Sequence, residues 1–389
     1  MTTKSNAGVT GLSRRAPSWV LLLTCCWWML QGCAGLSRHA RVRSGAPRAV
    51  LDLDPGPGNP RNSEGDFLTL QDGRILFVYS HFTGSSASDF AHGYLASRYS
   101  ADGGNTWSRE DKVEVGPEGK MNVMSVSLLR LQDHRIALFY LRKNSREDCV
   151  PMMRLSSDEA RTWGPAIRCI PREGYYVLNN SRVIQLAGGR ILVPVAQHYA
   201  KGDRQRSASG KLYCYYSDDD GATWHTGGEV PNPGHVFTQE PGVVALGKGK
   251  VLMYIRTDRG VQYYALSEDD GGHWGDIYPG PLASPVSPAS IRTIPATGDL
   301  LAVWNDNDGS DPDIRGKRTP LMLAVSSDEG RSWKHVKNIE NDPRGWYCYT
   351  AICFVKRRVL LGYCAGDTTT ASGLARTRIT SVGLDWIYR

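Results

Sequence analysis

A ten-residue pattern recurs five times along the chain: YSADGGNTWS from Tyr99, LSSDEARTWG from Leu155, YSDDDGATWH from Tyr216, LSEDDGGHWG from Leu266 and VSSDEGRSWK from Val325. The tryptophans that close each copy, Trp107, Trp163, Trp224, Trp274 and Trp333, lie 56, 61, 50 and 59 residues apart. Self-similarity at such a period marks an array of like units rather than one mixed core. The local chemistry is that of a turn. An aspartate in mid-turn accepts hydrogen bonds from the backbone N–H groups after it, and glycine supplies a positive φ. The tryptophan would bury its ring against neighbouring strands with its indole N–H at a wet edge. One carboxylate per copy is too few oxygens for calcium, so Asp102, Asp158, Asp219, Asp269 and Asp328 read as scaffold. The second copy carries Ala160 where the others carry glycine.

A second repeat lies between the copies of the first. Six apolar hairpins begin at Phe67, Leu128, Val183, Val243, Ile291 and Ala351, each with two apolar runs around a short polar or glycine turn. The first five are each followed by an aspartate turn and the sixth by the chain end. Six units with four strands apiece predict an all-β fold, a six-bladed β-propeller of four-stranded antiparallel blades. The last blade needs a strand from the other terminus, and AVLDLDP from Ala49 fits that place.

Charge divides the chain unevenly. Residues 1–50 carry seven of the 46 basic residues and no acid, which leaves 39 basic against 39 acidic residues beyond position 50. A neutral body offers no basic stripe for phosphates, so nucleic acid is not expected as a partner. Arg14 and Arg15 precede the apolar run APSWVLLLTCCWWML, and LQGC follows at Leu30–Cys33. That order predicts a signal peptide with a lipobox over residues 1–33, lipid on Cys33, a basic linker over 34–48 and the propeller over 49–389. Such a chain is exported, as a cell-envelope lipoprotein or a secreted protein, and meets a membrane only through that segment. Six cysteines beyond the leader could pair in an oxidising compartment, Cys149 with Cys169 being the first pair to test, while buried thiols are the simpler reading of Cys348, Cys353 and Cys364. No CxxC or HExxH spacing is present, and no metal or other cofactor is expected.

In an antiparallel blade the aspartate turns, at the end of third strands, share one rim, and the starts of first strands share the other. On this second rim fall Arg61, Asn179, Asn180, Arg182, Glu240 and Tyr349, together with Arg256 at the end of a second strand and Asp89 and Arg318 in loops leading to third strands. Arginines, acids and a tyrosine from separate blades at one mouth predict an anionic ligand. Arg315 and Lys317 compete with Arg318, Tyr347 and Trp346 with Tyr349, and Ser88 and His92 with Asp89. Asn180 either touches the ligand or caps a strand. His81, His198 and His235 read as plain loop or strand residues.

From Glu240 through the hairpin VVALGKGKVLMYIR to Arg256 and the turn YYALSEDDGGHW, the chain resembles the sialidases (neuraminidases), whose repeated turn is called the Asp-box. The resemblance extends over nearly everything after the leader. It implies an exo-α-sialidase: Arg61, Arg256 and Arg318 as the arginine triad, Tyr349 as nucleophile, Glu240 as its base, Asp89 as acid/base and Asn180 on the substrate, a terminal sialic acid or related nonulosonic acid of a sialylated glycan. The family's arginine-isoleucine-proline is here Arg61-Asn62-Ser63, and its serine after the tyrosine is Thr350. The chemistry stands by itself too. Guanidinium forks match a sugar carboxylate, and a neutral phenol approaches such an anion where a second carboxylate would be repelled. Two other classes stay open: a non-catalytic propeller that binds acidic glycans, and an assembly platform that uses only the scaffold.

Overall fold

The computed structural model describes residues 45–369 and 372–389. The leader, its lipobox and most of the basic linker lie outside the described residues. Within them, 25 strands run to a single short helix, α1 (Leu384–Ile387). All six expected hairpins pair in antiparallel register.

Four sheets have four strands each. The first is β2 (Asn62–Thr69), β3 (Ile75–Phe82), β4 (Gly93–Ser100) and β5 (Lys112–Val115). The later ones are β15 (Thr238–Gly247), β16 (Lys250–Thr257), β17 (Val261–Ser267) and β18 (Tyr278–Ala283), then β19 (Ser290–Thr293), β20 (Leu300–Asn305), β21 (Leu321–Ser326) and β22 (Lys334–Glu340). The last joins β23 (Gly345–Val355), β24 (Arg358–Asp367) and β25 (Thr377–Gly383) to β1 (Arg48–Leu53), so the strand expected from AVLDLDP does close the chain's final sheet.

Between the first and second of these, the units merge into one sheet of nine strands. β6 (Asn122–Arg130), β7 (Ile136–Lys143), β8 (Cys149–Ser156) and β9 (Ile167–Arg168) form one group, and β11 (Ile184–Gln185), β12 (Ile191–Ala200), β13 (Lys211–Ser217) and β14 (His225–Glu229) the next. β10 (Gly174–Val177) pairs with β12 along its length and with β8 by the single parallel partner Tyr175↔Cys149. The sequence reading expected separate units here. The outer strand β9 has only two residues, which leaves the edge of β8 open for the following segment to lie against.

Inner strands touch in cyclic order: β2 against β6, β12 against β15, β15 against β19, β19 against β23 and β23 against β2. The remaining step is made by hydrogen bonds, Ser181 N–H to the Val126 carbonyl at 2.8 Å and Arg182 N–H to Ser127 Oγ at 3.0 Å. Apolar cores fill the spaces between successive sheets. Leu53, Phe67, Ile75, Ala351 and Leu360 form one cluster across the join of the chain's two ends.

The aspartate turns are built as expected. Asp102 accepts from the N–H groups of Asn105 and Thr106 and from the Thr106 hydroxyl at 2.7–2.9 Å. Asp158, Asp219, Asp269 and Asp328 repeat the arrangement with Thr162, Thr223, His273 and Ser332. These bonds, the one from the Thr106 N–H first, hold the Asp102 carboxyl at about 2. The wet edge expected for the indoles is not there. The indole nitrogens of Trp107, Trp224, Trp274 and Trp333 are buried without a protein partner, and that of Trp163 donates to Glu114 at 2.8 Å. All six described cysteines, Cys149 and Cys169 included, are free thiols. Cys348 and Cys364 lie directly opposite each other on β23 and β24.

Candidate active site

Four inner strands carry the same defect. β2, β6, β15 and β23 shift register between Ser63 and Asp66, Met124 and Ser127, Gln239 and Gly242, and Cys348 and Ala351. Each bulge puts one residue in the left-handed region: Glu64 at φ 54°, Ser125 at 61°, Glu240 at 46° and Tyr349 at 59°. Ser181, ahead of β11, does the same at 55°. Non-glycine residues pay about 1 kcal/mol or more for this conformation. The return is direction, because a bulge swings a side chain out of the sheet's alternation. Glu64, Ser125, Glu240 and Tyr349 all line one cavity of about 480 Å³.

On one wall the Tyr349 hydroxyl donates to Glu240 Oε1 at 3.0 Å, while Glu240 Oε2 accepts from Arg256 Nη1 at 2.7 Å. Burial, then the negative charge of Glu240, pushes the Tyr349 phenol well above its ordinary range. Burial also pushes Glu240 up, but Arg256 and Arg318 outweigh it and the net direction is down. The pair is thus a neutral phenol against a carboxylate. Arg318 is 7% exposed, and its guanidinium carbon lies 5.3 Å from the ring centres of both Trp346 and Tyr349. Its Nε and Nη1 are buried with no acceptor. A buried cation that keeps unused donors at a cavity wall is a receptor for an anion.

On the facing wall, Arg61 donates to Asp89 Oδ1 at 2.6 Å, Glu64 Oε2 at 3.0 Å, Ser63 Oγ at 2.8 Å and the Ala87 carbonyl at 3.2 Å. It is 1% exposed and does not line the cavity. The expected triad therefore divides: Arg256 and Arg318 face the cavity, and Arg61 stands behind Asp89 and Glu64. Burial pushes Asp89 up, yet Arg61 and then Lys143 bring it below its ordinary value. Glu64 goes the other way, since its burial outweighs Arg61.

Asn180 is a support rather than a wall. Its Nδ2 donates to the carbonyls of Gly65 at 2.8 Å and Tyr349 at 2.9 Å, which ties the bulges of β2 and β23 together, and its neighbour Asn179 lines the cavity instead. Of the competitors to Arg318, Arg315 and Lys317 donate to the loop carbonyls of Gly309 and Pro343. Arg182 is buried and bound to Tyr254, Ser290 and Ala289. Sequence reasoning missed Glu64, Lys143, Tyr175 and Arg206, weighed Trp346 only as a rival to Tyr349, and read His198 as an ordinary strand residue, though all six line the cavity. For Glu64 a signal existed. It stands three residues before its hairpin's first residue, Phe67, as Glu240 stands three before Val243. Among the described residues no cluster of histidine, cysteine and acidic residues is placed to hold a metal ion.

A family model described as "BNR repeat-like domain" matches residues 95–359. Mouse Sialidase-4 is 30% identical over 142 residues, 32% of this chain and 28% of that protein's length, so the match spans little more than a quarter of the curated relative. Among solved structures, a Hadza microbial sialidase superposes with a TM-score of 0.69 at 17% identity, covering 84% of this chain and 66% of that one. The intramolecular trans-sialidase from Ruminococcus gnavus superposes at 0.67 with 15% identity, covering 87% and 97%.

Proposed function

Because the chain belongs to the BNR repeat-like family and shares the fold of the sialidases, we propose that it is a retaining exo-α-sialidase acting on terminal sialic acid, or a related nonulosonic acid, of sialylated glycans. The observation that carries this reading is the run Tyr349–Glu240–Arg256 beside the unpaired Arg318 guanidinium. Arg256 and Arg318 take the sugar carboxylate, and Arg61 holds the acid on the opposite wall.

In the first step the Tyr349 oxygen bonds to the anomeric carbon as the bond to the leaving oxygen breaks. Glu240 takes the phenol proton, and Asp89 gives its proton to the departing alcohol. In the second, water attacks the same carbon, Asp89 takes the water's proton, and Glu240 returns a proton to the released tyrosine. Two displacements retain configuration, and a tyrosine nucleophile is a known departure from the two-carboxylate scheme of glycosidases. The cyclic contacts of the inner strands support a six-bladed propeller, with the nine-stranded sheet as two blades joined through β10. The charged start and lipobox of the sequence support export, with a lipid on Cys33.

The test is release of a fluorescent alcohol from an α-sialoside by the wild type and by Tyr349→Phe. Turnover by the first and a loss of several orders of magnitude in the second is expected. A wild type inert on every nonulosonic acid offered, yet binding one, leaves an acidic-glycan-binding protein.

A further inference from the structure

Beyond Asp89 the cavity changes character. Lys143, at the end of β7, is 2% exposed, and its ammonium is held by the Asp89 carbonyl at 2.8 Å. It lies 5.0 Å from the ring centre of Phe90 and 5.7 Å from that of Tyr175. The Arg206 guanidinium stacks on Tyr175 at 4.1 Å, and Arg146 stacks on Phe90 at 4.2 Å. Three cations thus share two aromatic faces at the mouth, and two of them, Lys143 and Arg206, line the cavity itself. Among the described residues neither Arg146 nor Arg206 forms an ion pair. Asp89 is the carboxylate facing this wall, and its charge is shared with Arg61. Glu147 and Asp148 adjoin Arg146 in the chain, but Asp148 accepts from Asn144.

The place of this wall matters. On the reading above, Asp89 protonates the oxygen of the leaving group, so whatever lies past Asp89 touches the leaving group and not the sialic acid. A neutral aglycone offers three cations nothing to pair with, whereas an anionic one is drawn to them and held by them.

We propose that this wall is a subsite for a negatively charged leaving group, an aglycone whose first sugar bears a carboxylate or a sulfate. The inference rests on the sialidase reading and narrows its substrate class. Lys143 sets the charge nearest the scissile bond, and Arg206 and Arg146 are held on aromatic faces that fix their direction while leaving their N–H groups free to donate.

The experiment compares kcat/KM for a sialic acid linked to lactose, to a second sialic acid and to a 6-sulfated galactoside, in the full chain and in the double variant Arg146→Gln/Arg206→Gln. The readout is the ratio of each charged substrate to the neutral one, which a merely misfolded variant does not alter selectively. We expect a wild-type ratio of about tenfold or more at low salt, falling as salt is added, and a ratio several-fold smaller in the double variant, which keeps only Lys143. The two charged substrates separate carboxylate from sulfate. A wild-type ratio near one, with lactose still released, overturns the subsite and leaves the proposed reaction standing. If no sialoside is turned over, the proposed reaction fails, and equilibrium binding of the same three glycans decides the subsite: a salt-sensitive preference for a charged one upholds it, and equal affinities overturn it.

Discussion

At the scale of single residues, the site is organised around charges that the chain keeps only half satisfied. Arg318 is the clearest case, because a buried guanidinium whose Nε and Nη1 lack acceptors weakens the fold and strengthens anion binding. Arg318→Met should therefore raise the melting temperature while raising KM for a sialoside by about 10- to 100-fold, the worth of a charge-assisted hydrogen bond. Thermal unfolding and steady-state kinetics on one preparation check both halves. Asp89 gives a pH prediction with a definite sign. It must carry a proton for the first step, and Arg61 lowers its pKa, so kcat/KM falls as pH rises through that value and the optimum lies on the acid side of neutrality. Arg61→Gln removes the cation and raises the pKa, so the alkaline limb measured on the residual activity should move to higher pH. Residue identities such as Glu240, Arg256 and Tyr349 were legible because a local motif or strand start carries them. Lys143 and Arg206 were not, since each enters the cavity through the way distant strands pack.

At the scale of elements, two local devices divide the labour. The aspartate turn caps the outer end of a hairpin unit, and the left-handed bulge aims side chains at the other end. Of the two, only the turn has a composition that announces itself in the sequence. The bulge residues are Glu, Ser, Glu and Tyr, types that give no hint of positive φ, so the bulges emerge only when pairing registers are known. If the turn is pure scaffold, Asp102→Ala should cost about 1–2 kcal/mol from its lost hydrogen bonds and leave kcat/KM of the folded fraction unchanged, and a chelator should change neither. Denaturant unfolding with and without chelator reads this out. The glycine of the same turn faces the neighbouring unit. A Cβ at Gly104, at φ 85°, would stand 2.5 Å from Leu360 of β24, so Gly104→Ala should destabilise by about 1–3 kcal/mol.

At the scale of the molecule, closure joins the first strand to the last. β1 covers the open edge of β25, so a chain beginning at Asp54 should lose cooperative unfolding and associate through that edge, whereas one that keeps β1 should do neither. Size-exclusion chromatography and calorimetry distinguish the two. The repeat count and this closing strand were legible because hairpins and turns are short-range patterns. The merging of two units through β10 was not, because it follows from the shortness of β9. Everything else in the account converges on the phenol of Tyr349 as the atom that attacks the sugar. Its most direct test is mass spectrometry of the protein after exposure to a fluorinated sialosyl fluoride that forms the glycosyl-enzyme faster than water removes it. The account predicts one sugar residue on the peptide that holds Tyr349 and none in Glu240→Gln over the same time. A label on another residue, or turnover of a sialoside with Tyr349→Phe at the wild-type rate, contradicts it.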